Sequence, residues 1–389
     1  MVSAGRAYLD HAATTALRPA AREAFLAASD VLGNPTSVHG SGRRARAVLD
    51  EALESIAADL GVRRSWLILT SGGTEADNLA VRGAALAAQA ADPARSAVAV
   101  CASDHAAVLE TARSLAPRIA ARELPVTGRG AVDPDALDRA LADGAVSVVS
   151  AALVNNETGI LQDLASISAA ARAHGAVVHT DAVQAVGHAA LPAPGTVDLM
   201  SLSGHKIGAP VGVGVLVADP AVPLTAQSTG GGQQRGVRSG TLDAAHAASL
   251  AAALHEVLAE AEAESARLRD LAARLREGIA RIDPSVRFTA PEDVPQAGHI
   301  VHATFPGADQ DALLFLLDER GVDSSGGSAC SAGVQRGSHV LEAMGVDARG
   351  HAMLRLSLGW TSTAEDVDIV LAALPEALQR ARAVGSLFG

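Results

Sequence analysis

In 389 residues the sequence contains a single lysine. The rest of its basic side is 30 arginines, set against 43 acidic residues for a net charge of −12. That balance argues against a nucleic-acid binder, which would need a basic stripe to displace counterions from phosphates. Cysteine is almost as scarce. Cys101 and Cys330 make no disulfide framework, which points to a reducing, cytoplasmic setting. No apolar run reaches the roughly 18 residues of a membrane helix, because Arg, Asp, Gly or Pro interrupts each one. The opening Met-Val-Ser-Ala-Gly-Arg has no apolar signal core, and internal repeats, coiled coils and low-complexity linkers are missing too. What remains is a chain that is 49% apolar and 19% charged, able to bury a large core and long enough for two domains.

Short apolar runs alternate with segments of helical period up to about residue 240, the pattern of a parallel sheet covered by helices. Strands are expected at Trp66–Thr70, Ala97–Cys101, Val146–Val154, Val177–Thr180, Leu199–Leu202 and Val213–Val217. Helices are expected at Glu75–Ala90, Asp135–Ala142 and Leu164–His174. A long helical run, Ala244 to Ile282, ends before Pro284 and contains the expected domain boundary. Beyond it, Val301–Phe305, Gln310–Arg320, Val322, Met353–Leu358 and Ala364–Ala383 fit a small α+β unit. The fold class is therefore α/β: a large, mostly parallel sheet domain at 15–250, with a smaller α+β domain formed by 1–14 and 251–389.

Lys206 stands where an arginine would not serve, since an ammonium can become a nucleophilic amine and a guanidinium effectively cannot. It closes Ser201-Leu202-Ser203-Gly204-His205-Lys206, just past a strand, where open α/β sheets bind ligands. With Ser203 and His205 as hydrogen-bonding neighbours it suits a Schiff base to an aldehyde cofactor carrying a phosphate; alone, His205 reads equally well as a loop histidine. Ser71-Gly72-Gly73-Thr74-Glu75 follows another strand and opens a helix. Its N–H groups and the Thr74 hydroxyl suit an anion, although the same residues also make a plain turn and cap. Asp181, in His179-Thr180-Asp181, suits the protonated nitrogen of a pyridine ring, or a turn cap. A pyridoxal cofactor accounts for all three, and no metal is called for.

These residues carry a family resemblance. With Tyr8-Leu9-Asp10-His11-Ala12-Ala13-Thr14-Thr15, Gly33-Asn34-Pro35-Thr36, Asn155-Asn156-Glu157-Thr158-Gly159, Arg238-Ser239-Gly240-Thr241 and Arg355-Leu356-Ser357-Leu358-Gly359 in order, the chain resembles the cysteine desulfurases. These are pyridoxal-phosphate enzymes of the class V aminotransferase family, fold type I. The resemblance implies that Lys206 forms the Schiff base, Asp181 meets the pyridine nitrogen, Gln184 the phenolic oxygen, and His105 stacks on the ring as acid and base. It implies a phosphate site of Gly73, Thr74, Ser203 and His205, completed by a Thr241 from the partner subunit of a homodimer. Arg355, Asn155 and Asn34 would hold the substrate, L-cysteine. Ser325-Gly326-Gly327-Ser328-Ala329-Cys330-Ser331 matches the catalytic loop, in which Cys330 would take the sulfur as a persulfide. Small neighbours leave Cys330 little to pack against, whereas Cys101 sits in an apolar run and reads as a buried small hydrophobe.

The sulfur acceptor stays open: an iron–sulfur scaffold, or a sulfurtransferase serving tRNA, cofactor or DNA modification. The sequence stops at Leu387-Phe388-Gly389, short of members whose tail docks such a scaffold. Selenocysteine lysis and other reactions of the family fit the same cofactor residues, and transamination is disfavoured because it needs no loop cysteine. A non-catalytic α/β protein that binds a phosphate ligand is the alternative from another class, and it would carry no chromophore.

Overall fold

The computed structural model describes residues 5–327 and 337–388. At its centre is a seven-stranded sheet whose strands lie side by side in the order Leu67–Thr70, Gly214–Ala218, Leu199–Ser203, Val177–Asp181, Val146–Ser150, Ala97–Cys101, Ala120–Leu124. Gly214–Ala218 runs antiparallel to both neighbours and every other pairing is parallel. Most strands are apolar almost throughout because both faces are covered. On the strand Ala97–Cys101, Val98 and Val100 face one core with Leu79 and Ala80 of the helix Gly73–Ala91. Ala97, Ala99 and Cys101 face the opposite core, with Ile56 of the helix Gly40–Asp59 and Leu250 of the helix Ala244–Ile282.

That last helix is 39 residues long, which at 1.5 Å per residue is about 58 Å. Asp243 caps it by accepting from the His246 N–H at 3.0 Å. Its first half buries Ala247, Leu250, Leu254 and Val257 in the core of the large sheet. Its second half buries Leu268, Ala272, Leu275 and Ile279 in a separate core. The second core is built on a three-stranded antiparallel sheet, ordered His351–Ser357, Ile300–Pro306, Arg287–Phe288. The helices Gln310–Glu319 and Ala364–Phe388 pack on it. Leu9 belongs to this core, and the short strand Ala7–Tyr8 pairs in parallel with Val322–Asp323. Asp10 continues along the edge as a bridge to Ser357. Among the described residues no helix is long and apolar enough to cross a membrane.

Candidate active site

The carboxyl ends of the parallel strands open into a cavity. Its walls include Gly73, Thr74, His105, Asp181, Gln184, Ser203, His205 and Lys206. Eight residues expected at the cofactor thus come from four separate chain segments to one place.

One end of the cavity is an anion cradle. The helix Gly73–Ala91 points its N-terminus there, where unpaired N–H groups and the helix dipole favour negative charge. A side chain at Gly73 is not tolerated, since a Cβ would lie 2.8 Å from Val183 Cγ2. The loop is held from outside by Glu75, whose carboxylate accepts from the Ser71 N–H at 2.6 Å and from Arg238 Nε at 2.9 Å. Ser203 and His205 close the cradle. Burial pushes the His205 imidazole down to about 4, with Lys206 adding to the effect, so His205 serves there as a neutral hydrogen-bonding ring.

The other end is acidic. Asp181 is buried, and its Oδ1 accepts from the Val183 N–H at 2.8 Å. Burial raises its carboxyl, while His105 and Lys206 oppose the shift. Beneath it lies Asp77, only 1% exposed, with Oδ1 3.6 Å from His179 Nε2. Burial, reinforced by Asp181, holds Asp77 well above the usual carboxylate range. Behind both, His179 is bracketed by Ser150 Oγ at 2.8 Å and Ser201 Oγ at 3.0 Å. A cationic ring nitrogen would relieve this concentration of buried acid. His105 caps the helix Ala106–Arg113, its Nδ1 accepting from the Ala107 N–H at 3.1 Å. That leaves the proton on Nε2. An anion cradle at one end, a buried acid at the other and an amine between them fit a phosphorylated pyridine aldehyde.

The amine is Lys206, on a short 3₁₀ turn, Gly204–Lys206, directly after the strand Leu199–Ser203. Its Nζ donates to the carbonyls of Ala12 at 2.5 Å and Ala13 at 2.8 Å, and Gln184 Nε2 donates to the same Ala12 carbonyl at 2.8 Å. Burial first, then the nearby Arg355 charge, lowers the ammonium to about 8. Lys206 is therefore an ammonium below that pH and a free amine above it. With no other lysine in the chain, acylation of cofactor-free protein, read by mass spectrometry on the Lys206 peptide, should rise with a midpoint near pH 8. A midpoint at the ordinary value of about 10.4 would show that the side chain is not desolvated.

The substrate side departs from expectation in part. Arg355, 4% exposed, donates NH1 to the Asn156 carbonyl at 3.0 Å and pairs through NH2 with Asp10 at 2.7 Å, while its Nε has no partner. Asn155, expected to touch substrate, spends its amide on its own turn. Its Oδ1 accepts from the N–H groups of Glu157 and Thr158 and its Nδ2 donates to the Ser103 carbonyl. The neighbour Asn156 lines the cavity in its place. Asn34 is exposed, with its Oδ1 engaged by Thr36, and does not reach the cavity. Thr241 is exposed outside this chain's cavity. Cys330 lies outside the described residues. Cys101 is fully buried with its thiol raised to about 12 by burial. Among the described residues no cluster of three or more His, Cys, Asp or Glu could hold a metal ion.

Comparisons with known proteins agree with this geometry. The family model described as Aminotransferase class-V matches residues 7–370. The chain is 45% identical over 382 residues to an IscS-like cysteine desulfurase of Mycobacterium tuberculosis (strain ATCC 25618 / H37Rv), covering 97% of each. It superposes on a solved NifS-like protein with a TM-score of 0.88 and 30% identity, covering 96% of this chain and 100% of that one. A structure described as SspA in complex with cysteine matches with a TM-score of 0.76 and 27% identity, over 90% of this chain and 98% of that one.

Proposed function

Since the chain belongs to the class-V aminotransferase family, we propose that it is a pyridoxal-phosphate-dependent cysteine desulfurase, converting L-cysteine to L-alanine with the sulfur passed to Cys330. The observation that carries this reading is the chain's only lysine, depressed by burial, in one cavity with Asp181, His105 and the Gly73–Thr74 cradle. Pyridoxal phosphate held by these residues would supply an electron sink that loosens the bonds around the substrate's α-carbon.

The chain's own residues do the rest. Thr74, Ser203 and His205 would hold the phosphate, and Asp181 would keep the ring nitrogen protonated. Lys206 Nζ would take the α-proton, which an amine poised near neutrality can do. The Cys330 thiolate then attacks the substrate sulfur. An S–S bond forms as the Cβ–S bond breaks, the electron pair left on carbon takes a proton, and alanine departs. His105 Nε2 is positioned at the cavity wall to shuttle that proton. Supplying L-cysteine to the holoenzyme should give alanine together with a 32-dalton gain on the Cys330 peptide. Alanine without that gain, or no alanine, would overturn the reading.

Arg355 is the proposed anchor of the substrate carboxylate, its guanidinium held beside the cavity by the carbonyl of Asn156, which lines it. Arg355→Ala should raise the Michaelis constant for cysteine and leave cofactor content unchanged. Losing a charge-assisted pair costs about 2–4 kcal/mol, or roughly 30- to 1,000-fold in kcat/KM. Arg355→Lys should recover only part, because an ammonium cannot reproduce the fork. The Asp10 pair makes a stability loss a competing outcome. A lowered melting temperature with unaltered cysteine saturation would reduce Arg355 to a structural ion pair.

A homodimer in the cytoplasm, handing sulfur to an acceptor protein, completes the proposal. It is supported by the exposed Thr241, free to reach another subunit's phosphate site, and by a cysteine usage suited to a reducing compartment.

A further inference from the structure

We propose that Glu157, which no step above uses, fixes both stems of the segment carrying Cys330 and so sets where its thiolate meets the substrate sulfur. This rests on the desulfurase reading. Glu157 is 2% exposed. Its Oε2 accepts from Ser338 Oγ at 2.5 Å. Ser338 opens the stem after the segment, capping the helix His339–Ala343 by accepting from the Leu341 N–H at 3.1 Å. The stem before the segment ends at Gly327, which crosses directly over the same carboxylate. At its φ of +93°, a Cβ there would lie 3.2 Å from Glu157 Oε2 and 3.1 Å from His302 Nε2. His302 is 1% exposed, with Nδ1 on Thr289 Oγ1 at 2.7 Å. Two buried polar side chains thus form the floor on which Gly327 rests, and one of them also grips Ser338.

Each stem is also fastened to the site. Ser325 exchanges backbone hydrogen bonds with Arg355, at 3.2 and 2.6 Å. His339 Nε2 lies 2.9 Å from the Asp104 carbonyl, next to His105. The stems are therefore referenced to the substrate anchor on one side and to the ring-facing histidine on the other, with Glu157 between them. Burying an acid here is costly unless charge-assisted bonding offsets it, and a fixed span between stems is what an in-line attack on sulfur requires.

In the holoenzyme, Glu157→Ala should lower kcat about 100-fold, the effect of roughly 1 Å of misplacement. Cofactor content and the cysteine concentration that half-saturates the absorbance change should stay at parent values. Ser338→Ala, which keeps the carboxylate, should lose about tenfold, and the two losses should not add in the double variant. Iodoacetamide alkylation of Cys330 should change in Glu157→Ala with or without cofactor; the fully buried Cys101 does not interfere. Parent-like kcat, or a joint fall in kcat, cofactor content and saturation at an unchanged alkylation rate, would overturn the proposal. If the parent itself makes no alanine, the desulfurase reading fails; if it does and the variants match it, only the role of Glu157 fails.

Discussion

Lys206→Ala is expected to abolish alanine formation, a fall on the order of 10⁴-fold or more, while leaving a folded protein. The side chain is tied to the fold only through the Ala12 and Ala13 carbonyls, which face the cavity and can be rehydrated. What is lost is an amine that no other residue can supply, because the remaining 30 basic residues are arginines. The chain therefore contains no lysine-based bypass. Borohydride treatment of the parent should attach cofactor to one peptide, the one containing Lys206. Attachment elsewhere, or turnover by the alanine variant, would remove Lys206 from its proposed role.

Cys330→Ser should be nearly as damaging and in a different way. Cofactor binding and the absorbance change on adding cysteine should persist, since neither uses the thiol. Sulfur release should fall by on the order of 1,000-fold or more, because a neutral hydroxyl lacks the charge and polarisability of a thiolate. Cys101→Ser should turn over normally, as Cys101 is fully buried with its thiol raised to about 12. Alanine production at the parent rate by the Cys330 variant would eliminate the persulfide route.

The sequence shows best what depends on short-range pattern. The strand Ala97–Cys101 and the helix Ala244–Ile282 fall where their apolar periods put them. The edge strand Ala120–Leu124 escapes notice because only Leu124 is buried, so no apolar run marks it. Helices Pro19–Ser29 and Gly40–Asp59 escape too, the latter carrying Gly and Arg through its first turns. Val146–Val154 is read too long, because after Ser150 the chain leaves the ladder for the turn built by Asn155. In that turn the first asparagine accepts from the N–H groups two and three residues on, so the second faces outward. This geometry exchanges Asn155 for Asn156 at the cavity. Asp77 had a legible signal: it is an acid on the buried helix face of Ala76, Leu79 and Ala80, where an uncompensated charge is costly. Asp10, by contrast, meets Arg355 only through an edge bridge between residues some 345 positions apart, which no local pattern discloses.

That edge bridge bears on how the protein is made. Residues 7–13 leave the ribosome before any strand of the large sheet, yet their partners Val322–Asp323, Ser357 and Arg355 come more than 300 positions later. At about 5–20 residues per second, the opening segment waits tens of seconds for the strand that seats it. Until then the segment bearing the Ala12 and Ala13 carbonyls is held near Lys206 only from the large-domain side, by Gln184 and the His205 carbonyl, without its edge partners. Synthesis can finish the large sheet and its anion cradle well before it can finish the amine's surroundings. A nascent chain arrested after residue 250 would already hold the proposed phosphate cradle while lacking Cys330 and Arg355, so it is synthesis of that later stretch that would switch the proposed chemistry on.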